Sequence, residues 1–352
     1  MTDNNIFSKE ISTHANKLLD HYYQILSHDI NHHGYCTEFL GSSEGFEKTR
    51  LLCQTRCMYF LLEYAALNKD SYASNQAFTL YQLIKNKYQD EHHHWLQYPH
   101  KEKLDNLYEY AFLIFSISKL HIQTPSTDYV KDLASLHEVI MDHYFFPESH
   151  FSNLRDNKGF VSQNALMHIY EAYLELYKAL PTEKYKGVLD TLLQTTKGMF
   201  YNPYPNLISE YSPYKQEKTA IYEPGHSFEW CCLLVEAQQA GIDTSTLPVE
   251  KKMAAAAEKN GVTAQGAVLQ SISTLDDKNR FRIWPVLERL RYYGISKDHT
   301  KVSTIFPEFV ALFISKETNL PIEFINENLQ PDFKGVKTTT SYHLINSLKN
   351  LI

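Results

Sequence analysis

The side chains best suited to proton transfer in this chain are histidines set beside carboxylates. In YEPGHSFEW, residues 222–230, Pro224 suits the first turn of a helix, and His226 falls in that turn with Glu229 three residues on. A carboxylate one turn from an imidazole can orient the ring and raise its pKa, so the pair fits an acid or base working near neutral pH. In QNALMHIYEA, residues 163–172, Asn164 and His168 stand four apart and Glu171 follows by three, beside an apolar stripe. Burying such a set is costly unless each member finds a partner or a ligand. On the residues alone, a polar helix cap and a satisfied core histidine stand as alternatives for these two segments.

Three further segments carry isolated polar or aromatic groups. RIWPVLERL, residues 282–290, sets Trp284 beside a helix start at Pro285, with Glu288 just inside it. By itself this reads as a tryptophan anchoring a loop. TTTSYHLINSL, residues 338–348, offers several N-cap candidates and puts His343 in or near the first turn. CQTRCMYF, residues 53–60, places Arg56 in a strongly apolar stretch, where an unpaired guanidinium is costly, so it is expected to meet a carboxylate or a ligand oxygen. The consecutive His92, His93 and His94 cannot share one helix face, and with His32 and His33 they read as loop surface. No metal or cofactor site is expected. Cys36, Cys53, Cys57, Cys231 and Cys232 form no CxxC pair and read as reduced, structural thiols. There is no GxGxxG and no GxxxxGK[ST], and only 12 glycines are present, which argues against a nucleotide-binding α/β enzyme.

The elements that must hold these groups are helices. Leu51, Leu52, Met58, Leu61, Leu62 and Ala65 trace one apolar stripe, and Leu107, Ala111, Phe112, Ile114, Phe115 and Ile117 another. Prolines punctuate the intervals, and about a dozen helices fit, with short hairpins near residues 34–40, 92–101 and 322–338. The stretch 202–222, with three prolines, is the longest irregular piece and a candidate lid. No linker divides the chain, so residues 1–352 are expected to form one catalytic domain. Arg56, Glu109, His168, His226, Trp284 and His343 recur at intervals of 53, 59, 58, 58 and 59 residues. Six repeats of two helices predict an all-α (α/α)6 barrel whose equivalent positions converge on one mouth. The net charge of −7 makes nucleic acid and anionic membrane poor partners. No apolar run approaches the roughly 20 residues of a membrane span, and the N-terminal stretch has no signal-peptide pattern, so a cytoplasmic location is expected. A homodimer is expected only from the general prevalence of symmetric oligomers.

The five motifs, in this order, together with KLDNLYEYAFLIF at residues 103–115, resemble the N-acylglucosamine 2-epimerase superfamily from about Tyr35 to the end. EPGHSFEW with RIWP is most similar to the mannose isomerase-like branch. The resemblance implies the (α/α)6 barrel and metal-free chemistry on a sugar. It implies that His226 and His343 are the acid/base pair and that Glu229 orients His226. Asn164 and His168 would bind the sugar and help open its ring, Arg56 would contact substrate oxygens, and Trp284 would wall the pocket. Glu109 is added from the spacing alone. Leu52 stands where several isomerases have tryptophan, and Val161-Ser162 where they often have Arg-Gly, which bears on substrate identity.

These residue types suit aldose–ketose isomerisation through a cis-enediol, with a neutral imidazole as base and an imidazolium or Arg56 near the developing oxyanion. Return of the proton to the same carbon from the other face would instead give a 2-epimer. Glycoside hydrolysis would require Glu109 and Glu229 to flank the pocket with the histidines turned away. A catalytically inactive sugar-binding barrel is the alternative from another class.

Overall fold

The computed structural model describes residues 2–146, 148–153, 160–212, 220–272, 280–332 and 335–352. Six inner helices form a ring: α2 (Leu51–Asn68), α4 (Leu107–Gln123), α6 (Gln163–Ala179), α8 (Pro224–Gln239), α10 (Ile283–Ile295) and α12 (Ser341–Leu348). Each packs on the next, and α12 returns to α2, which closes the barrel. Six outer helices alternate with them: α1 (Thr2–His33), α3 (Ser71–Lys87), α5 (Thr127–Tyr144), α7 (Glu183–Met199), α9 (Glu250–Gly261) and α11 (His299–Phe313). Helices α3, α5, α7, α9 and α11 each lie on the inner helix before them, while α1 spans α11, α12, α2 and α3.

The sequence distinguishes the two rings. From Leu51 to Ala65 every residue of α2 is buried, including Gln54, Thr55, Arg56 and Glu63. A helix enclosed on all sides must have few charges, and those it has need partners. Outer helix α5 instead buries one stripe, Tyr129, Leu133, Leu136, His137, Ile140 and Tyr144, at helical spacing.

Joins from an outer helix to the next inner helix carry short antiparallel pairs. These are β1 (Leu96–Tyr98) with β2 (Lys101–Lys103), β3 (Phe145–Phe146) with β4 (His150–Phe151), and β5 (Tyr201–Asn202) with β6 (Leu207–Ile208). In the last repeat β7 (Arg280–Arg282) pairs across the fold with β8 (Phe324–Asn326). Thus the hairpin expected at 92–101 lies at 96–103, and the region 322–338 contributes a strand whose partner is distant in sequence. Residues 34–40 hold only a single bridge, Phe39 to Lys337, among the described residues. Two- and three-residue strands are too short to show the alternation by which strands are read. Joins from inner to outer helices are mostly tight and side-chain capped, as by Asp70, Ser126, Thr182 and Asp298. The hairpins therefore gather at one mouth, above the N-terminal turns of the inner helices.

The opposite end is closed by ion pairs between inner helices. Glu63 meets Lys349 at 2.9 Å and also pairs with Lys119, which reaches Glu175 at 3.7 Å. Burial alone would raise the Glu63 carboxyl, but these two ammonium groups bring it down to about 2. Among the described residues no helix is long and apolar enough to cross a membrane. All five cysteines are free and buried.

Candidate active site

At the mouth, the first two turns of the inner helices surround a cavity of about 230 Å³. Position six of α2, α6 and α8 supplies Arg56, His168 and Glu229. Position two of α4, α6 and α10 supplies Tyr108, Asn164 and Trp284, and position three of α8 and α12 supplies His226 and His343. Glu210 and Tyr211 descend from the segment after β6. Seven of the eight residues singled out from the sequence thus share one cavity.

The eighth, Glu109, does not line it. Its neighbour Tyr108 takes that place, and Glu109 turns toward Gln97 of β1 at 3.5 Å. A one-residue offset rotates a helical side chain by about 100°, so equal spacing along the chain does not ensure equal direction. Burial raises the Glu109 carboxyl to about 7. With Glu109 outside the cavity and both histidines facing it, the Glu109–Glu229 pair considered for hydrolysis does not flank the cavity.

His226 is oriented by Glu210, not by Glu229. Its Nδ1 lies 2.8 Å from Glu210 Oε1 and 3.4 Å from a Glu223 oxygen. Glu210 is held from behind by Gln163 at 3.2 Å, and Gln163 accepts from the Trp230 indole at 2.7 Å. Burial disfavours the imidazolium, but Glu210 and Glu223 outweigh it and raise His226 to about 10. Glu229 points toward the barrel axis instead, 3.3 Å from the Tyr342 hydroxyl and 3.9 Å from His168 Nε2. Burial and the neighbouring Glu288 and Glu171 hold its carboxyl well above the usual range.

His343 is in the opposite state. Its Nδ1 lies 2.6 Å from Glu288 Oε1, while burial, Arg56, His168 and Arg282 push its pKa well below the ordinary imidazole value. A neutral ring that donates Nδ1–H to Glu288 leaves Nε2 with a free lone pair. His168 is likewise neutral, lowered chiefly by burial, with Nδ1 3.2 Å from Glu171. Beneath the site Arg291 joins these carboxylates. It reaches Glu288 at 3.1 Å, Glu171 at 3.3 Å and Glu236 at 2.9 Å, and Tyr342 also bonds Glu171.

Arg56 meets no carboxylate among the described residues. Its guanidinium lies 4.3 Å from the Phe112 ring centre and 5.0 Å from that of Tyr342, donates to Tyr108 and to the Thr339 carbonyl, and leaves Nε without a partner. Aromatic faces offset part of the cost of burying this charge and leave it able to meet a ligand oxygen. Asn164 Oδ1 also has no partner among the described residues.

Trp284 stands beside both catalytic candidates, with ring centres 4.8 Å from His226 and 5.6 Å from His343. Gly225 makes room for it: a Cβ there would fall 2.6 Å from the indole and 2.8 Å from Pro285. Gly225→Ala is therefore expected to shift the indole and cost about 1–3 kcal/mol of stability by overpacking. A shift of about 1 Å at such a wall is expected to lower turnover by roughly 100-fold. Intrinsic tryptophan fluorescence and steady-state kinetics on the variant check both effects.

Glu210, Glu288, Arg291 and Tyr342 were not among the eight residues chosen from the sequence. Glu288 had a usable signal, since it occupies the same sixth position in α10 as Glu229 in α8 and His168 in α6. Glu210 had none, being a loop residue 16 positions from the histidine it serves. Within the candidate lid, residues 213–219 lie outside the described residues.

Several sets of these side chains could also gather around a metal ion, for example Glu229, Glu288 and His343. Two of the three carboxyl-bearing members of the buried sets are raised toward neutrality, and Glu288 is already engaged by Arg291.

The chain matches the N-acylglucosamine 2-epimerase (GlcNAc 2-epimerase) family over residues 41–302. Among curated proteins, no relative matches by sequence. Among solved structures it is similar to a D-mannose isomerase, at TM-score 0.80 and 17% identity over 97% of each chain. It is similar to the cellobiose 2-epimerase of Bacillus thermoamylovorans, at TM-score 0.83 and 14% identity over 96% of this chain and 99% of that one. An α-1,6-mannanase from a Salegentibacter species shares the fold more loosely, at TM-score 0.69 and 14% identity over 97% and 98% of the two chains. The fold is the (α/α)6 barrel of these proteins, and the chain belongs to the N-acylglucosamine 2-epimerase family.

Proposed function

We propose that this protein isomerises a mannose-type aldose to its ketose through a cis-enediol, with His343 and His226 as base and acid. The observation that carries the reading is the pair of imidazoles facing one cavity with each Nδ1 on a different carboxylate, His343 2.6 Å from Glu288 and His226 2.8 Å from Glu210; burial and nearby cations lower His343, whereas Glu210 and Glu223 raise His226. The neutral His168 beside Asn164 suits ring opening, where a proton moves between the ring oxygen and the anomeric hydroxyl. His343 Nε2 then takes the proton from C2, and the C–H electron pair becomes the C1–C2 double bond while charge moves onto O1. Arg56 and the His226 imidazolium stand where positive charge can meet that oxygen. Transfer of the O2 proton and return of a proton to C1 complete the ketose.

A cavity of about 230 Å³ is below the roughly 300–1,000 Å³ of sites for drug-sized ligands, which favours a single sugar unit. The matched family description favours a second reading, 2-epimerisation, in which the proton returns to C2 from the opposite face. Product analysis separates them: a ketose supports isomerisation, and an epimeric aldose replaces it with epimerisation.

The two charge states also predict the pH profile. The base is active when unprotonated, so activity is lost only as pH falls below the depressed pKa of His343. The acid is active when protonated, so activity is lost as pH rises through about 10. The expected kcat/KM profile is therefore broad, still high at pH values below 6.5 and falling near 10. A bell centred narrowly on an ordinary imidazole pKa would contradict the assignment.

A further inference from the structure

The cavity carries both signs of charge: Glu210 and Glu223 stand with His226, and Arg56 and Arg282 line the same cavity and act on His343. Behind Arg282 the cations continue. The Phe324 ring of β8 has Arg280 at 3.8 Å, Arg282 at 5.3 Å and Lys337 at 5.3 Å from its centre. Among the described residues the carboxylates that answer them are Glu323, 3.2 Å from Arg282, and Asp332, 2.7 Å from Arg280. Arg50 nearby is fully engaged by Glu38 at 2.6 Å. Among the described residues four cations thus meet two ion-pairing carboxylates along one rim, and the buried Nε atoms of both Arg56 and Arg282 have no partner. Burial above all lowers the Lys337 ammonium pKa; Glu323 opposes it, and Arg282, Arg50 and Arg280 add to the lowering. An aromatic ring offsets only part of such crowding, whereas a bound oxyanion would neutralise it through charge-assisted hydrogen bonds.

We propose that this rim binds an anionic substituent on the sugar, a phosphate ester or a carboxylate, so that the substrate is an acidic rather than a neutral sugar. The proposal rests on the sugar-isomerase reading for its substrate class, but the anion site is testable without turnover. The anionic end would lie over Arg282 and Lys337, which leaves the carbonyl end to the two histidines.

The test is calorimetric binding of polyols that cannot isomerise: sorbitol, sorbitol 6-phosphate and gluconate. At least one anionic form is expected to bind about tenfold or more tightly than sorbitol, with the advantage cut about fivefold by Lys337→Gln or Arg280→Gln and by raising salt from about 50 to about 500 mM. Which of the two anions binds tells phosphate from carboxylate. Equal binding of all three polyols, no binding of any, or an advantage that neither variant nor salt changes would overturn the proposal. Turnover of mannose, mannose 6-phosphate and mannuronate in D2O separates the two claims. Tight anionic binding without deuterium entry into any sugar would sustain the site and remove the isomerase reading. Deuterium entry into mannose and its 6-phosphate at equal kcat/KM, with equal polyol binding, would do the reverse.

Discussion

His343→Ala is expected to lower kcat by about 10²–10⁴ while leaving sugar affinity within a few fold, because it removes the base and leaves the binding wall intact. His226→Ala should act comparably for the complementary reason, since it removes the held imidazolium. The two variants should differ in their pH behaviour. Loss of His226 removes the alkaline limb near 10, and loss of His343 removes the acid limb. Glu288→Gln tests the tautomer directly. An amide can no longer supply a carboxylate to Nδ1–H, 2.6 Å away in the parent, so the lone pair at Nε2 is less well defined. Its kcat is expected to fall by about tenfold to 100-fold with KM little changed. Retention of kcat within about threefold in both histidine variants would remove them from the chemistry.

Arg291→Leu is expected to have the largest effect on stability. The guanidinium is fully buried and holds Glu288, Glu171 and Glu236 within 3.3 Å. Its removal leaves Glu288, Glu171 and Glu236 crowded together without their shared cation. Breaking a buried pair in this way costs about 3–5 kcal/mol, and here three acids share one cation. The melting temperature is expected to fall by roughly 5–15 °C. Activity is expected to fall as well, because Glu288 and Glu171 orient His343 and His168. Arg291→Lys separates the two effects: it keeps the charge and part of the stability but cannot reproduce the planar fork, so kcat should recover less than the melting temperature. Unchanged melting in Arg291→Leu would show that the acids are already neutral without it.

How much of this was readable beforehand depended on where each residue sits. The 58- to 59-residue spacing picks out inner helices because every repeat returns the chain to the same depth in the ring. His168, His226, Trp284 and His343 follow from it, since each occupies an early turn of a helix buried on all sides. Glu109 shows the limit, because spacing fixes depth but not azimuth. Arg56 was recognisable as an anomaly, a charge in an apolar helix, yet its partners proved to be aromatic faces rather than a carboxylate. Glu229 was paired with His226 by helix geometry, but Glu210 comes closer from a hairpin, and no local pattern predicts that tertiary contact. Arg291, written as RLR in α10, has the appearance of an exposed charged face; only closure of the ring reveals that it lies at the axis.

The most direct test of the central claim is proton NMR of the purified protein in D2O with mannose, mannose 6-phosphate and N-acetylglucosamine, alongside His226→Ala and His343→Ala. Deuterium is expected to enter at C1 or C2 of a sugar as ketose forms, and this entry is expected to be lost in both variants. Deuterium entry that persists in either variant, or a sugar that binds in the cavity and exchanges no carbon-bound proton, would contradict the claim that these two histidines move the proton.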